Sequence, residues 1–296
     1  MRADHPTTLC QFNFQLPTGY RGALFGGAAS GKSLILKIAN GQIKLISGSV
    51  KVNGRIGLRG RRIALAGPDF RCANRLTVSQ LLLLRAASRL SHSERPHARV
   101  AEMLELLDLF PVRDTIILHL THTQRLALNL AAALVSRPDV ILIDDMMMGL
   151  PEPIRFRVDG WLNERCAEDQ ICILEATTHH ERAVTADRVF MLHRCQILAD
   201  DSPAKLLATV QPTRLTLSRV DADWLADRVP PESLVMVRER EGDIEVETFE
   251  AERVVSSLLG EHLGGPAMVL VSQPTLWDVL SPLASLADME RENGAG

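Results

Sequence analysis

The chain has 296 residues, of which 46% are hydrophobic, and 33 Lys+Arg stand against 36 Asp+Glu for a formal net charge of −3. This length allows one large domain and a smaller one, each with its own core, and a nearly balanced charge without a basic block disfavours a nucleic-acid partner held by phosphate neutralisation. No apolar run approaches the roughly 18–20 residues of a membrane span; Asp4, His5 and Pro6 stand where a secretory signal needs an apolar core; and Cys10, Cys72, Cys166, Cys172 and Cys195, with no CxxC pair, point to reduced cytosolic thiols rather than a disulfide frame or zinc site.

In chain order, Phe12 and Phe14 alternate with polar neighbours in an expected first strand from Leu9, and Ala23–Phe25 form a short apolar strand. Leu34–Ala39 read as a helix stopped by Asn40-Gly41, and Val50 and Val52 lead into an Asn53-Gly54 hairpin turn. From about Pro68 to Leu134 the pattern turns helical, at Leu81–Leu90 and Val100–Leu109, with Pro96 and Pro111 as breakers. Val140–Ile143 and Ile171–Leu174 are uninterrupted apolar runs, the form of parallel strands covered on both faces, and Val189–Leu192 and Ile197–Ala199 close an α/β domain near Val210.

After Pro212 short strands recur at Leu215–Leu217, Leu234–Arg238, Ile244–Val246 and Met268–Val271, with helical segments at Asp221–Val229 and Glu250–Leu263. Glu241-Gly242-Asp243 reads as a hairpin turn and Gly264-Gly265-Pro266 as a helix stop, so the order βαββαβ predicts a small α+β, ferredoxin-like domain over 211–290, followed by a frayed tail at 291–296.

The chemistry is concentrated in two places. Gly26-Gly27-Ala28-Ala29-Ser30-Gly31-Lys32-Ser33, followed by Leu34, fits G-x-x-x-x-G-K-[ST] between an apolar strand and a helix. Small residues let successive backbone N–H groups curl around phosphate oxygens at the positive end of that helix, with Lys32 reaching the β/γ-phosphates of ATP and Ser33 holding Mg²⁺. Val140-Ile141-Leu142-Ile143-Asp144-Asp145 is a buried strand ending in two carboxylates, of which Asp144 is the expected Mg²⁺ partner, through water.

The run Leu120-Thr121-His122-Thr123-Gln124-Arg125, an apolar helix to Val135, Ser136-Arg137-Pro138-Asp139 and Val140–Asp145 together resemble the signature, helix and Walker B block of the ABC-type ATP-binding cassettes. Thr178-His179-His180 with Ala186-Asp187-Arg188-Val189 resembles that family's switch-histidine segment; Gly19-Tyr20 and Ser47–Val50 sit at its flanking strands, and Leu76-Thr77-Val78 at the start of its helical insertion. The resemblance covers roughly residues 9–207. It implies a P-loop NTPase fold of the ABC type over 1–210, with a helical subdomain at about 68–135. It also implies ATP-dependent head-to-tail pairing with a second ATP-binding subunit, as homodimer or heterodimer, so that Thr121 and Gln124 act across the pair. His179 would sense the γ-phosphate, and the pair would drive membrane permease subunits from the cytoplasmic face of the cell membrane.

The departures from the family pattern lie at the chemistry. His122 and Thr123 replace the signature glycines, Pro68 replaces the glutamine between the lobes, and Asp145 replaces the catalytic glutamate, one methylene short. A misplacement of around 1 Å can cost about 100-fold in rate, so a slow ATPase is expected, with a non-hydrolysing ATP-binding subunit as the alternative. Met146-Met147-Met148 read as a flexible packing surface. The family's adenine-stacking aromatic would precede Leu9, where this chain is too short to hold it. Pro274-Thr275-Leu276-Trp277-Asp278-Val279-Leu280 resembles a short C-terminal motif of exporters of the ABC-2 type, the one ground for expecting export.

Overall fold

The computed structural model describes residues 13–45, 47–52, 55–56, 62–68, 75–88, 95–209, 213–218, 220, 222–240, 243–248, 251–258, 268–272 and 274–294. Two compact units divide the chain, Met1–Pro203 and Ala204–Gly296.

In the first unit the elements run β1 (Arg21–Phe25), α1 (Lys32–Ala39), the small hairpin β2 (Lys51–Val52) and β3 (Arg55–Ile56), β4 (Ile63–Ala66), α2 (Val78–Ala87), α3 (Pro96–Leu106), α4 (His122–Leu134), β5 (Val140–Asp144), α5 (Glu152–Asp169), β6 (Cys172–Thr177), α6 (His180–Ala183), β7 (Arg188–His193) and β8 (Gln196–Asp201). A six-stranded sheet has the order β4-β5-β6-β1-β7-β8. It is parallel except for the β7–β8 hairpin.

The continuous apolar runs follow from burial on both faces. Ile141 and Ile143 of β5 pack with Ile173 into the larger cluster under α2–α5, whereas Leu142 joins Leu24, Ile35, Leu36, Leu174 and Phe190 on the face covered by α1. Asn40 and the positive-φ Gly41 end α1 as expected. Pro96, expected as a breaker, instead opens α3 at a first-turn position, where its missing N–H costs no helical bond. Phe14 lies outside any strand but packs on Phe190 with ring centroids 4.8 Å apart; residues 9–12 of the expected first strand, and Asn53-Gly54, lie outside the described residues. Lys51 pairs with Ile56 and Val52 with Arg55, the register of a two-residue hairpin.

The second unit follows α7 (Pro203–Ala208) with β9 (Thr213–Ser218), α8 (Ala222–Ala226), β10 (Met236–Arg240), β11 (Asp243–Thr248), α9 (Ala251–Leu258), β12 (Met268–Ser272) and α10 (Leu276–Gly294). Its antiparallel sheet has the order β10-β11-β9-β12, the connectivity of a split βαβ arrangement. Leu215, Leu217, Ile244 and Val246 alternate inward to meet Leu225, Val229, Val254 and Leu258. α10 runs through Arg291 to Gly294, into the segment expected as a frayed tail, whose last two residues lie outside the described residues, as do Gly264-Gly265-Pro266 and Glu241-Gly242.

Candidate functional site

The phosphate loop joins β1 to α1, and its shape is imposed by its neighbours. A Cβ on Gly26 would lie 2.2 Å from the Leu192 carbonyl oxygen of β7, and one on Gly31 (φ 101°) would lie 2.5 Å from Cys195 Sγ, so both positions require glycine. Gly27 meets nothing within 4 Å. Ala28 and the left-handed Ala29 (φ 61°) carry the turn into Ser30, whose carbonyl accepts the Cys195 N–H at 2.8 Å. The tip of the β7–β8 hairpin therefore clamps the loop from outside. Buried Lys32 folds over it and donates to the carbonyls of Gly26 and Gly27, both at 2.7 Å, and to Ser30 Oγ at 3.3 Å. Burial holds its ammonium below the ordinary lysine range, against the raising effect of Asp145 and Asp144. All three of its donors face the cradle in which a polyphosphate would replace the loop carbonyls as acceptor.

Leu34 follows in the first turn of α1, and Ser33 Oγ beside it donates to Asp144 Oδ1 at 2.8 Å. Asp144 is 3% exposed, and burial pushes its carboxyl above the usual range, with Ser33, Lys37 and Lys32 pulling the other way and Asp145 adding to the rise. A buried carboxylate beside a hydroxyl at the mouth of a phosphate loop fits a hard cation with oxygen ligands: Ser33 and Asp144 would hold Mg²⁺, which supplies charge neutralisation at the phosphates. Asp145 is exposed and left-handed (φ 46°), a conformation Asp tolerates better than Glu does, and its N–H bonds the Ala176 carbonyl at 2.9 Å, tying the end of β5 to β6.

Beyond β6, His179 stands at the N-cap position of the short α6, its N–H donating to Thr177 Oγ1 at 3.0 Å. Behind it lies a charge network absent from the sequence expectations. Arg182 of α6 grips Glu175 of β6 and Asp159 of α5, and Arg21 of β1 reaches Asp159 at 3.0 Å and Asn163 at 2.6 Å. Arg21 and Glu175 are charges inside otherwise apolar, buried strands, the signal by which the network is legible, since such groups need partners.

Residues 9–148 match the family described as ABC transporter. The match takes in the phosphate loop and Val140–Asp145, just under half of the chain. Relatives of the cassette include the sulfate/thiosulfate import ATP-binding protein CysA of Synechococcus elongatus, 29% identical over 194 residues that cover 64% of this chain and 56% of that protein. CysA of Escherichia coli K12 is 26% identical over 205 residues, 66% of this chain and 56% of that protein. The chain thus spans about half the length of the curated relatives it matches. Among solved structures, the dimeric post-hydrolysis cassette MJ0796 with ADP and Pi superposes with a TM-score of 0.61 at 19% identity, covering 66% of this chain and 90% of that one. The cbiO1 protein of Clostridium perfringens, part of the ABC transporter complex cbiONQ, gives 0.56 at 22% identity, covering 68% and 84%. These likenesses establish the cassette fold.

Within the cassette, Thr121 and Gln124 form a reciprocal cap at the start of α4. Thr121 Oγ1 accepts from the Gln124 N–H at 3.3 Å, and Gln124 Oε1 accepts from the Thr121 N–H at 3.0 Å. The hydroxyl expected to act across a dimer therefore already has a local task, as do Thr77 and Gln80 at the start of α2. Met146 and Met147 correct one expectation: at 3% and 1% exposure they belong to the core, and only Met148 faces out, because the turn after β5 folds back under α4. The region before Leu9 lies outside the described residues.

Proposed function

We propose that this chain is the ATP-binding subunit of an ABC transporter, pairing with a second cassette on permease subunits at the inner face of the membrane and hydrolysing ATP slowly. The observation that carries the reading is the joined cradle: a glycine-dependent loop, Lys32 over it, and Ser33 tied to the buried carboxylate of Asp144. In this reading Lys32 and the loop N–H groups bind the phosphates, Ser33 and Asp144 hold the cation, Asp145 orients the attacking water, and His179 contacts the γ-phosphate. Thr121 and Gln124 complete the partner's site after exchanging their mutual hydrogen bonds. Support for slow turnover comes from Asp145, with its shorter side chain on a left-handed backbone, and from Pro68.

On direction, the named relatives are import proteins. The segment expected to mark export has a local role, since Asp278 accepts from the Thr275 N–H at 2.7 Å and hydroxyl at 2.8 Å at the head of α10. Support thus moves from export to uptake.

A second reading, a subunit that binds ATP without hydrolysing it, draws on the engaged state of Thr121 and Gln124. Turnover by wild type, Asp145→Glu and Lys32→Ala, alone and with the permease, separates the two. Slow wild-type turnover, quickened by Asp145→Glu and abolished by Lys32→Ala, supports the ATPase; binding without phosphate release in all but Lys32→Ala supports the second reading.

A further inference from the structure

A cavity of about 590 Å³ lies alongside β4, and three of the residues that line it are Gly67, Asn129 and Asp144. Asn129 sits on α4, two turns beyond Thr121. It is 3% exposed in a helix whose inward neighbours are Ala and Leu, an expensive place for an amide. Its Nδ2 donates to the Gly67 carbonyl at 2.5 Å, whereas its Oδ1 has no hydrogen-bond partner among the described residues. The reverse orientation of the amide would set oxygen against oxygen at Gly67, so this assignment is fixed by chemistry. Gly67 in turn lies against the cation-site carboxylate, since a Cβ built on it would be 3.0 Å from Asp144 Cβ and 3.7 Å from Asp144 Oδ2. A leucine at position 129 would fill the space without the cost of an orphaned acceptor.

We propose that Asn129 is a positioning residue for the cation end of the site: its N–H seats Gly67 against Asp144, and its carbonyl is the acceptor kept for the water around a cation held there. This rests on the reading of Asp144 and Ser33 as the cation-holding pair. It gives α4 a direct mechanical link to that pair, running from Asn129 through Gly67 and Asp144 to Ser33.

The test measures ADP binding by calorimetry, with EDTA and across a Mg²⁺ titration, for wild type, Asn129→Leu, Asn129→Asp, Gly67→Ala and Asp144→Asn. Asn129→Leu is expected to leave ADP affinity in EDTA unchanged and to raise the Mg²⁺ concentration for half-maximal enhancement by about 10-fold or more, the usual scale for losing a group that orients a metal ligand. Gly67→Ala attacks the same contact from the other side and is expected to shift the Mg²⁺ requirement in the same sense. Asn129→Asp loses the donor and sets oxygen against the Gly67 carbonyl, so it is expected to displace Gly67 and shift the Mg²⁺ requirement in the same sense. An unchanged Mg²⁺ requirement in Asn129→Leu, or an equal loss of ADP affinity with and without Mg²⁺, overturns the proposal. If Asp144→Asn also leaves the Mg²⁺ requirement unchanged, the assignment of the cation site itself fails and the proposal falls with it.

Discussion

Arg182 and Glu175 meet as a fork, Nε to Oε1 at 2.9 Å and Nη2 to Oε2 at 2.7 Å, with both side chains almost wholly buried. Arg182 also binds Asp159, and these carboxylates, more than offsetting the cost of its burial, raise its pKa. Arg182→Met would leave Glu175 buried beside Arg21 alone and is expected to destabilise the protein by about 3–5 kcal/mol, read by urea denaturation. Because α6 begins at His180, the same variant should loosen the His179 segment and increase amide hydrogen exchange there before it does so in β5.

Asp144 gives a pH signature. Its folded-state pKa lies above the ordinary 3.8 chiefly through burial. The native state therefore holds more protons than the unfolded state between 3.8 and the raised value, and stability falls as pH rises through that window. Asp144→Asn abolishes this pH dependence. Without Mg²⁺ its melting temperature should match wild type at acid pH, exceed it increasingly as pH rises through the window, and stay higher by a constant margin above it. A variant no more stable than wild type at neutral pH would refute the assignment.

Two neighbouring glycines should behave differently. Gly26→Ala drives a methyl into the Leu192 carbonyl and should weaken ATP binding by about tenfold or more. Gly27→Ala enters open space and should leave the melting temperature unchanged. Equilibrium dialysis with labelled ATP, paired with thermal melts, checks both.

The head of α4 separates a structural from an intermolecular role for Thr121. Thr121→Ala loses a helix cap worth about 1 kcal/mol, whereas Thr121→Asp keeps a capping oxygen and adds a negative charge. If this position meets a nucleotide across a dimer, Thr121→Asp should retain wild-type stability yet abolish ATP-dependent dimerisation in light scattering, while Thr121→Ala should dimerise more weakly.

What was legible in the sequence depended on whether one segment held the whole cause. The phosphate loop could be read because its glycines, lysine and serine are consecutive, and Val140–Asp145 because a strand covered on both faces is apolar throughout. The 18-residue α5 passed unnoticed because its exposed face, including Phe156 at 81% exposure, blurs the apolar stripe. The clamp of Leu192 and Cys195 on the loop, and the Asn129–Gly67 contact, join residues 62 or more positions apart and leave no local pattern. Pro96 misled because proline breaks a helix only after the first turn.

The sheet order has a consequence for how the nucleotide cradle comes into being. β1 lies between β6 and β7, strands that emerge from the ribosome some 150 residues later. A fragment ending at residue 148 would contain every phosphate- and cation-binding group of the cradle, yet its first strand would have neither neighbour and its loop no hairpin to shape it. ATP binding should therefore appear abruptly, once synthesis has passed the β7–β8 hairpin, rather than grow as each motif is added. During that interval both edges of β1 lack their strand partners, the condition under which strands self-associate.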